Sequence, residues 1–232
     1  MIVSIHQPQY LPWLGYFDKI DRSDIFVFLD DVQFKKNEWQ NRNKIKTAKG
    51  WQWITVPVIH KFPQEIRQVE INNNIDWERQ HLNSLTINYN KAPYFGDYID
   101  FFETAYGKEW NYLLDLNIYI IENLVKMLGI KTKLVMSSKL RLPGKATEHL
   151  VNICKDLKAD TYLSGEGACA YLETEKFRKQ GIEVIFQDFK HPHYNQLYCQ
   201  EKGFIENLSI IDLLFNLGKD SISILRQVRC KK

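Results

Sequence analysis

The sequence predicts a three-layer α/β fold built on a mainly parallel sheet. Two observations carry that expectation. The first thirty residues run strand, loop, helix, strand, and residues 131–186 alternate strand and helix again. Two parallel strands need a crossover of a dozen or more residues, usually a helix, so this order reads as βαβ rather than as a hairpin. Helices that alternate with strands in this way cover both faces of the sheet.

The elements follow in order. Residues 2–6 (IVSIH) are a β-prone run ended by Pro8, the expected buried first strand. Residues 7–12 hold two prolines and form a loop. Trp13, Phe17 and Ile20 recur at helical spacing. Residues 24–29 (DIFVFL) make a second buried strand that ends in Asp30 and Asp31. Residues 41–47 and 51–58 pattern as a hairpin with Gly50 in its turn, and residues 66–71 alternate as a further strand. From 76 to 128 the pattern is mostly helical, broken at Pro93 and Gly107, with Asp76 as an expected N-cap. Strands are expected at 131–136, 161–163 and 182–186, and helices at 147–157, 168–180 and, last, 208–217. No repeat, low-complexity tract or linker interrupts the chain. A single domain over 1–232 is expected, with 75–128 as a largely helical insertion.

Composition narrows the class. A chain of 232 residues with 44% hydrophobic side chains buries a sizeable core without disulfides or metals. Six tryptophans are more than a core alone requires, so some rings are expected to line a pocket. A net charge of +3 is too mild for a nucleic-acid surface. The basic run 229–232 reads as a frayed, solvated end. Cys154, Cys169, Cys199 and Cys230 have no metal-ligand spacing, which suits a reduced, cytoplasmic chain. The N-terminus lacks the pattern of a signal peptide. No apolar run approaches the roughly 20 residues that a membrane span needs. The best candidate, 112–128, is interrupted by Asp115, Asn117, Glu122, Asn123 and Lys126 and reads as a core helix.

Ligands of parallel α/β sheets bind beyond the carboxyl ends of the strands. Three such ends are polar here and are expected to converge on one edge: His6-Gln7, then Asp30-Asp31 with Gln33 following, then Ser164-Gly165-Glu166-Gly167. His6 suits a general acid/base or a phosphate ligand, and the plain alternative is a histidine hydrogen-bonded to the loop backbone. Gln7, Tyr10, Trp13 and Tyr16 supply the aromatic walls and few polar groups of a small-ligand site, although Trp13 or Tyr16 alone reads as core. Asp30 and Asp31 suit a magnesium ion or an orienting role, or a turn pair. Among Trp39, Gln40, Asn41, Arg42, Asn43 and Lys44, Arg42 suits a carboxylate or phosphate. His191, His193, Tyr194 and Gln196 crowd a late loop, where functional residues concentrate, but no third metal ligand joins the two histidines. His81 and His149 lie in helical stretches and read as surface or satisfied residues. There is no GxSxG elbow, Walker loop or GxGxxG. The turn 164–167 suits a phosphate held by backbone N–H groups.

These residues also carry a resemblance. The opening run 6–17 (HQPQYLPWLGYF) resembles the first motif of the WbqC-like family. The likeness continues through 31–34 (DVQF), 39–43 (WQNRN), the aromatic strand 51–57, 89–94 (YNKAPY), 161–165 (TYLSG), and His191-Pro192 with Tyr194 and Gln196. It spans most of the chain. The family is associated with bacterial surface polysaccharide, notably O-antigen, and a transfer of glycine or another amino acid onto an amino sugar has been suggested for relatives. A weaker similarity links the Pro-containing loop, Leu14-Gly15, and Met136-Ser137-Ser138-Lys139 to nucleotidylyl transferases with the HxGH signature, such as pantothenate synthetase. There Trp13 and Tyr16 stand where that signature has its histidines. The resemblance implies a Rossmann-like, nucleotidylyl-transferase-like sheet.

The expected function is therefore an aminoacyl or acyl transferase acting on a nucleotide-linked amino sugar, with an amino-acid or acyl donor. His6 is its acid/base, Asp31 an orienting carboxylate, Arg42 or Lys44 an anion grip, and the His191 loop a closure. ATP with magnesium is an admissible cofactor, a charged tRNA an admissible donor, and a homo-oligomer an admissible assembly. A DxD motif for glycosyl transfer is lacking. The rival reading is a non-catalytic module that binds a sugar nucleotide or a glycosyltransferase through strands bearing Trp51 and Trp53.

Overall fold

The computed structural model describes residues 1–229. Its first βαβ unit is β1 (Ile2–His6), α1 (Leu14–Asp21) and β2 (Ile25–Phe28). Two small antiparallel pairs follow, β3 (Arg42–Thr47) with β4 (Gly50–Thr55), and β5 (Val58–Ile59) with β6 (Glu70–Ile71). Three helices come next: α2 (Trp77–Tyr89), α3 (Phe95–Tyr106) and α4 (Leu113–Met127). The second half runs β7 (Lys133–Met136), α5 (Ser137–Leu140), α6 (Ala146–Asp156), β8 (Thr161–Ser164), α7 (Thr174–Arg178) and β9 (Glu183–Phe186). It closes with α8 (Cys199–Lys202), α9 (Ile210–Leu217) and α10 (Ser221–Gln227).

Five strands form one sheet in the order β7-β2-β1-β8-β9, and every neighbouring pair is parallel. Period-two alternation decides which core each side chain joins. Val3 and Ile5 of β1 and Ile25 and Val27 of β2 pack on one face, with Val151, Ile153 and Cys154 of α6 and Phe177 of α7. Phe26 and Phe28 point the other way, into a larger core with Phe17 and Ile20 of α1, Ile120 and Leu124 of α4, and Leu213 and Phe215 of α9. Both faces are covered, so all four residues of β2 are buried, as a central parallel strand requires. This is the three-layer, Rossmann-like α/β fold that the alternation predicts.

Several local expectations change. Gly50 opens β4 opposite Thr47 rather than sitting in the turn, at a φ of +124° that suits glycine. Residues 66–71 are not one strand. Ile66–Gln68 is a single 3-10 turn and only Glu70–Ile71 pairs. The backbone N–H groups of Ile66 and Arg67 donate to Val32 and Asp30 carbonyls, which draws the segment off a ladder. Asp76 stands at the N-cap of α2 but pairs with Arg79 instead of capping. The helix expected over 168–180 shrinks to α7, after a 3-10 turn at Glu166–Ala168. A further helix, α10, follows the one expected to be last.

Arg229 is not a frayed end. Its guanidinium bonds Asp18 at 2.7 Å and Asp21 at 2.6 Å, while Arg226 bonds Asp21, and together they clasp α10 to α1. Cys230 and the rest of the terminal basic run lie outside the described residues. No helix among the described residues is long and apolar enough to cross a membrane.

Candidate functional site

The chain builds the sheet outward from β1 to β2 and β7, then returns to the other side of β1 for β8 and β9. Strand order therefore reverses between β1 and β8. Such a switch point leaves a crevice beyond the carboxyl ends, because the two flanking connections depart to opposite faces. A cavity of about 230 Å³ occupies that position. His6 from the end of β1, Gly165 from the end of β8, Trp13 and Tyr16 from the start of α1, and Phe189 beyond β9 line it, and Lys19 joins them from inside α1.

His6 is held in one orientation. Its ring meets Tyr16 edge-on at a centroid distance of 5.0 Å, and Nδ1 lies 3.2 Å from the Gln7 carbonyl. A carbonyl oxygen only accepts, so Nδ1 carries the hydrogen and Nε2 keeps its lone pair. Burial, reinforced by Lys19, drives the pKa of His6 well below the ordinary value, against the opposing backbone hydrogen bond. The imidazole is neutral at pH 7 and able to accept a proton.

Lys19 is the residue that sequence reasoning missed. Its side chain is buried, its Nζ donates to the Ile5 carbonyl at 3.3 Å, and no carboxylate pairs with it among the described residues. Burial alone lowers its pKa to about 7. In sequence a lysine on an amphipathic helix reads as solvated. The available signal was its place three residues after Tyr16, hence on the same helix face. Gln187 was also missed. Its Nε2 donates at 2.8 Å to the Gly15 carbonyl and to Asp18, tying the residue after β9 to α1. Phe189 meets Trp13 edge-on at 5.3 Å.

The acidic end of β2 belongs to a separate group. Ser137 Oγ lies 2.9 Å from Asp30 Oδ1 and 2.6 Å from Asp31 Oδ1, and the Ser138 N–H donates to Asp30. His149 is buried, with Nε2 3.3 Å from Asp31 Oδ2 but without a hydrogen bond there, and with Nδ1 facing the Pro143 carbonyl at 3.4 Å. A groove of about 550 Å³ beside this group is lined in part by Asp30, Arg67, Trp110, Ser138 and Lys139. The polar strand ends share one sheet edge, as expected, but two openings rather than one serve them.

The other expected site residues are dispersed. Gln7 accepts from Gln40 at 2.8 Å. Tyr10 is in the core, with its hydroxyl bonded to His81 and Tyr106. Gln33 is exposed and bridges Glu65 through backbone, and Asn41 donates to the Val56 carbonyl. Ser164 is buried and its carbonyl accepts from the Gln187 N–H. His191 faces the Pro192 carbonyl at 2.9 Å, and its ring packs against Phe189 and Phe204. It is thus one ring removed from the switch-point cavity. Tyr194 and Gln196 are buried with Lys46 and Asp212: Tyr194 donates to Asp212 at 2.8 Å, and Lys46 donates to Gln196 at 3.0 Å. Arg42 and Lys44 lie on the outer face of the β3–β4 hairpin. The Arg42 guanidinium sits 4.2 Å from the Trp53 ring and Lys44 Nζ 4.5 Å from the Trp51 ring. No group of three or more His, Cys, Asp or Glu side chains is arranged to hold a metal among the described residues.

A parallel Rossmann-like sheet with a polar, aromatic-walled cavity at its switch point defines the class of protein. Within that class the chain belongs to the WbqC-like protein family, whose profile matches residues 7–224. It is 39% identical over 231 residues to an uncharacterized protein of Mycobacterium tuberculosis, covering 98% of each chain. No solved structure matches the chain.

Proposed function

We propose that the protein is a cytoplasmic transferase that joins glycine, another amino acid or an acyl group to the amine of a nucleotide-linked sugar, for bacterial surface polysaccharide such as O-antigen. The family supports the polysaccharide setting. The observation that carries the chemistry is the neutral His6 imidazole, with Nε2 unprotonated, at the switch-point cavity. The sugar amine attacks the carbonyl carbon of an activated acyl group. The C–N bond forms, the bond to the leaving group breaks, and His6 Nε2 takes the amine proton. Trp13 and Tyr16 wall the site, Gly165 permits close approach, and the His191 loop closes over it through Phe189. Asp31 is bound by Ser137 in the neighbouring group and takes no part at His6. ATP, by way of an acyl-adenylate, or a pre-charged carrier supplies the activated donor. Asp30 Oδ1 and Asp31 Oδ1 already bind Ser137 and Ser138, so their fit to a magnesium ion is poor.

The test is direct. The protein is incubated with a UDP-linked amino sugar, glycine, ATP and magnesium, and with aminoacyl donors in parallel, and products are read by mass spectrometry. The expected product is the sugar nucleotide heavier by one acyl unit. His6→Ala should lower turnover by at least about 100-fold, the usual worth of a positioned base, with little change in melting temperature. Undiminished turnover in that variant removes His6 from the mechanism.

One observation favours a second reading. Trp39, Trp51 and Trp53 form an exposed cluster on the hairpin with Arg42 and Lys44. Aromatic and arginine side chains of this kind are enriched at binding surfaces. A non-catalytic module would bind its sugar nucleotide or glycosyltransferase partner there, with no turnover for any donor.

A further inference from the structure

We propose that the switch-point cavity is a phosphoryl-group site and that the Lys19 ammonium is the charge that holds the group. The proposal deepens the transferase reading by naming what the cavity grips, and it rests on that reading only for the identity of the whole substrate.

The first observation is an unpaired cation facing an opening. Lys19 is 2% exposed, has a backbone carbonyl as its only hydrogen-bond partner among the described residues, and lines the cavity. A buried ammonium without a counter-charge is costly, and other buried ionic groups of this chain avoid that cost. Asp18 is held by Arg22, Arg229 and Gln187, and Asp212 by two tyrosine hydroxyls. Lys46, also buried, has the Gln196 oxygen and the Gly203 carbonyl as acceptors and Asp212 nearby. Among the described residues Lys19 has one carbonyl and no counter-charge, and an anionic ligand would supply it.

The second observation is the backbone around the amine. α1 begins at the cavity, and Trp13 at its N-cap offers no side-chain acceptor to the first N–H groups. Gly15 makes room for the Trp13 ring, since a Cβ there would lie 2.3 Å from it. Gly165 and Gly167 form the opposite wall. A helix N-terminus, a glycine-bearing turn after a strand and a lysine are the groups that bind phosphoryl oxygens.

The third is size. About 230 Å³ is below the range for whole drug-sized ligands, so the cavity takes a phosphoryl or diphosphoryl group while the rest of the ligand projects outward. The titratable groups that face Lys19 do not neutralise it. His6 is held neutral, and burial keeps Tyr16 protonated. Glu166 is the carboxylate that lines the cavity, and it is exposed at the rim. Phe26 contributes only its ring, at 6.0 Å.

The test uses the full chain and inorganic pyrophosphate, titrated calorimetrically at pH 6.5. Wild type is expected to bind, and Lys19→Met to bind at least about 10-fold more weakly. Lys44→Ala, on the hairpin, is expected to match wild type. A melt of Lys19→Met no lower than that of wild type shows that the loss is not unfolding. At pH 8, titrations in two buffers of different ionisation enthalpy should show more proton uptake in wild type than in Lys19→Met, because binding recharges the amine. Absence of binding at millimolar pyrophosphate, equal affinity in Lys19→Met, or loss in Lys44→Ala alone would overturn the proposal. Pyrophosphate binding that depends on Lys19 but comes with no acyl transfer supports the phosphoryl site while removing the transferase reading.

Discussion

Tyr10 and Tyr16 belong to the same motif and both are buried, yet their surroundings separate them. Tyr16 sits on α1 facing His6. Tyr10 lies in a hydroxyl chain that its neighbours fix. His81 Nε2 donates to the Thr55 carbonyl at 3.1 Å, so Nδ1 accepts from Tyr10, and Tyr10 accepts from Tyr106. Burial accordingly lowers His81 to about 3, so it stays neutral. A partner 71 residues away decided Tyr10's surroundings, and no local pattern reveals it. Lys19 gives the residue-scale prediction. Its pKa falls from 10.5 to about 7 in the folded chain. Below pH 7 the native state carries the full cost of a buried charge. Between pH 7 and 10.5 the unfolded chain binds the proton that the folded chain has released, so stability from this group rises with pH. Lys19→Met should therefore raise the melting temperature at pH 6, by a free energy on the order of a few kcal/mol, and raise it much less at pH 10. Thermal melts at the two pH values check this, and an equal effect at both would count against the burial account.

At the scale of elements, α1 concentrates the site. In eight residues it carries Gly15, Tyr16 and Lys19 into the cavity and Asp18 and Asp21 into the α10 clasp. Its position was legible from Trp13, Phe17 and Ile20, because an apolar stripe is a local property. The clasp was not, because it joins residues more than 200 apart. The hairpin was legible to within three residues for the same local reason, and 66–71 failed because loop carbonyls competed for its N–H groups. Gly15→Ala is the test at this scale. The added methyl collides with the Trp13 ring, so the ring must move or the helix must shift. The expected loss is about 1–3 kcal/mol in urea unfolding, with altered tryptophan fluorescence. A variant as stable as wild type, with unchanged emission, would show that the Trp13 ring does not rest on Gly15.

For the whole molecule, topology was the most legible feature. Alternating strands and helices leave few arrangements, and a parallel sheet with polar groups at its carboxyl edge follows from them. What the sequence did not disclose is where along that edge each group falls. His6 and Gly165 flank the switch point between β1 and β8, whereas Asp30 and Asp31 stand one strand over, bound to Ser137. Tyr194 and Gln196 share a loop with His191 but turn into a structural network around Asp212, whose pKa burial raises to about 6. Strand order in space, not in sequence, sorts these residues between the crevice and the networks beside it.

The central claim is that the crevice between β1 and β8 receives the substrate. A crystal structure with a UDP-linked amino sugar tests it most directly. The account predicts the diphosphate within about 3 Å of Lys19 Nζ and the sugar amine facing His6 Nε2. A ligand seated in the groove beside Arg67 and Lys139, or against the tryptophans of the hairpin, with the crevice empty, would contradict it.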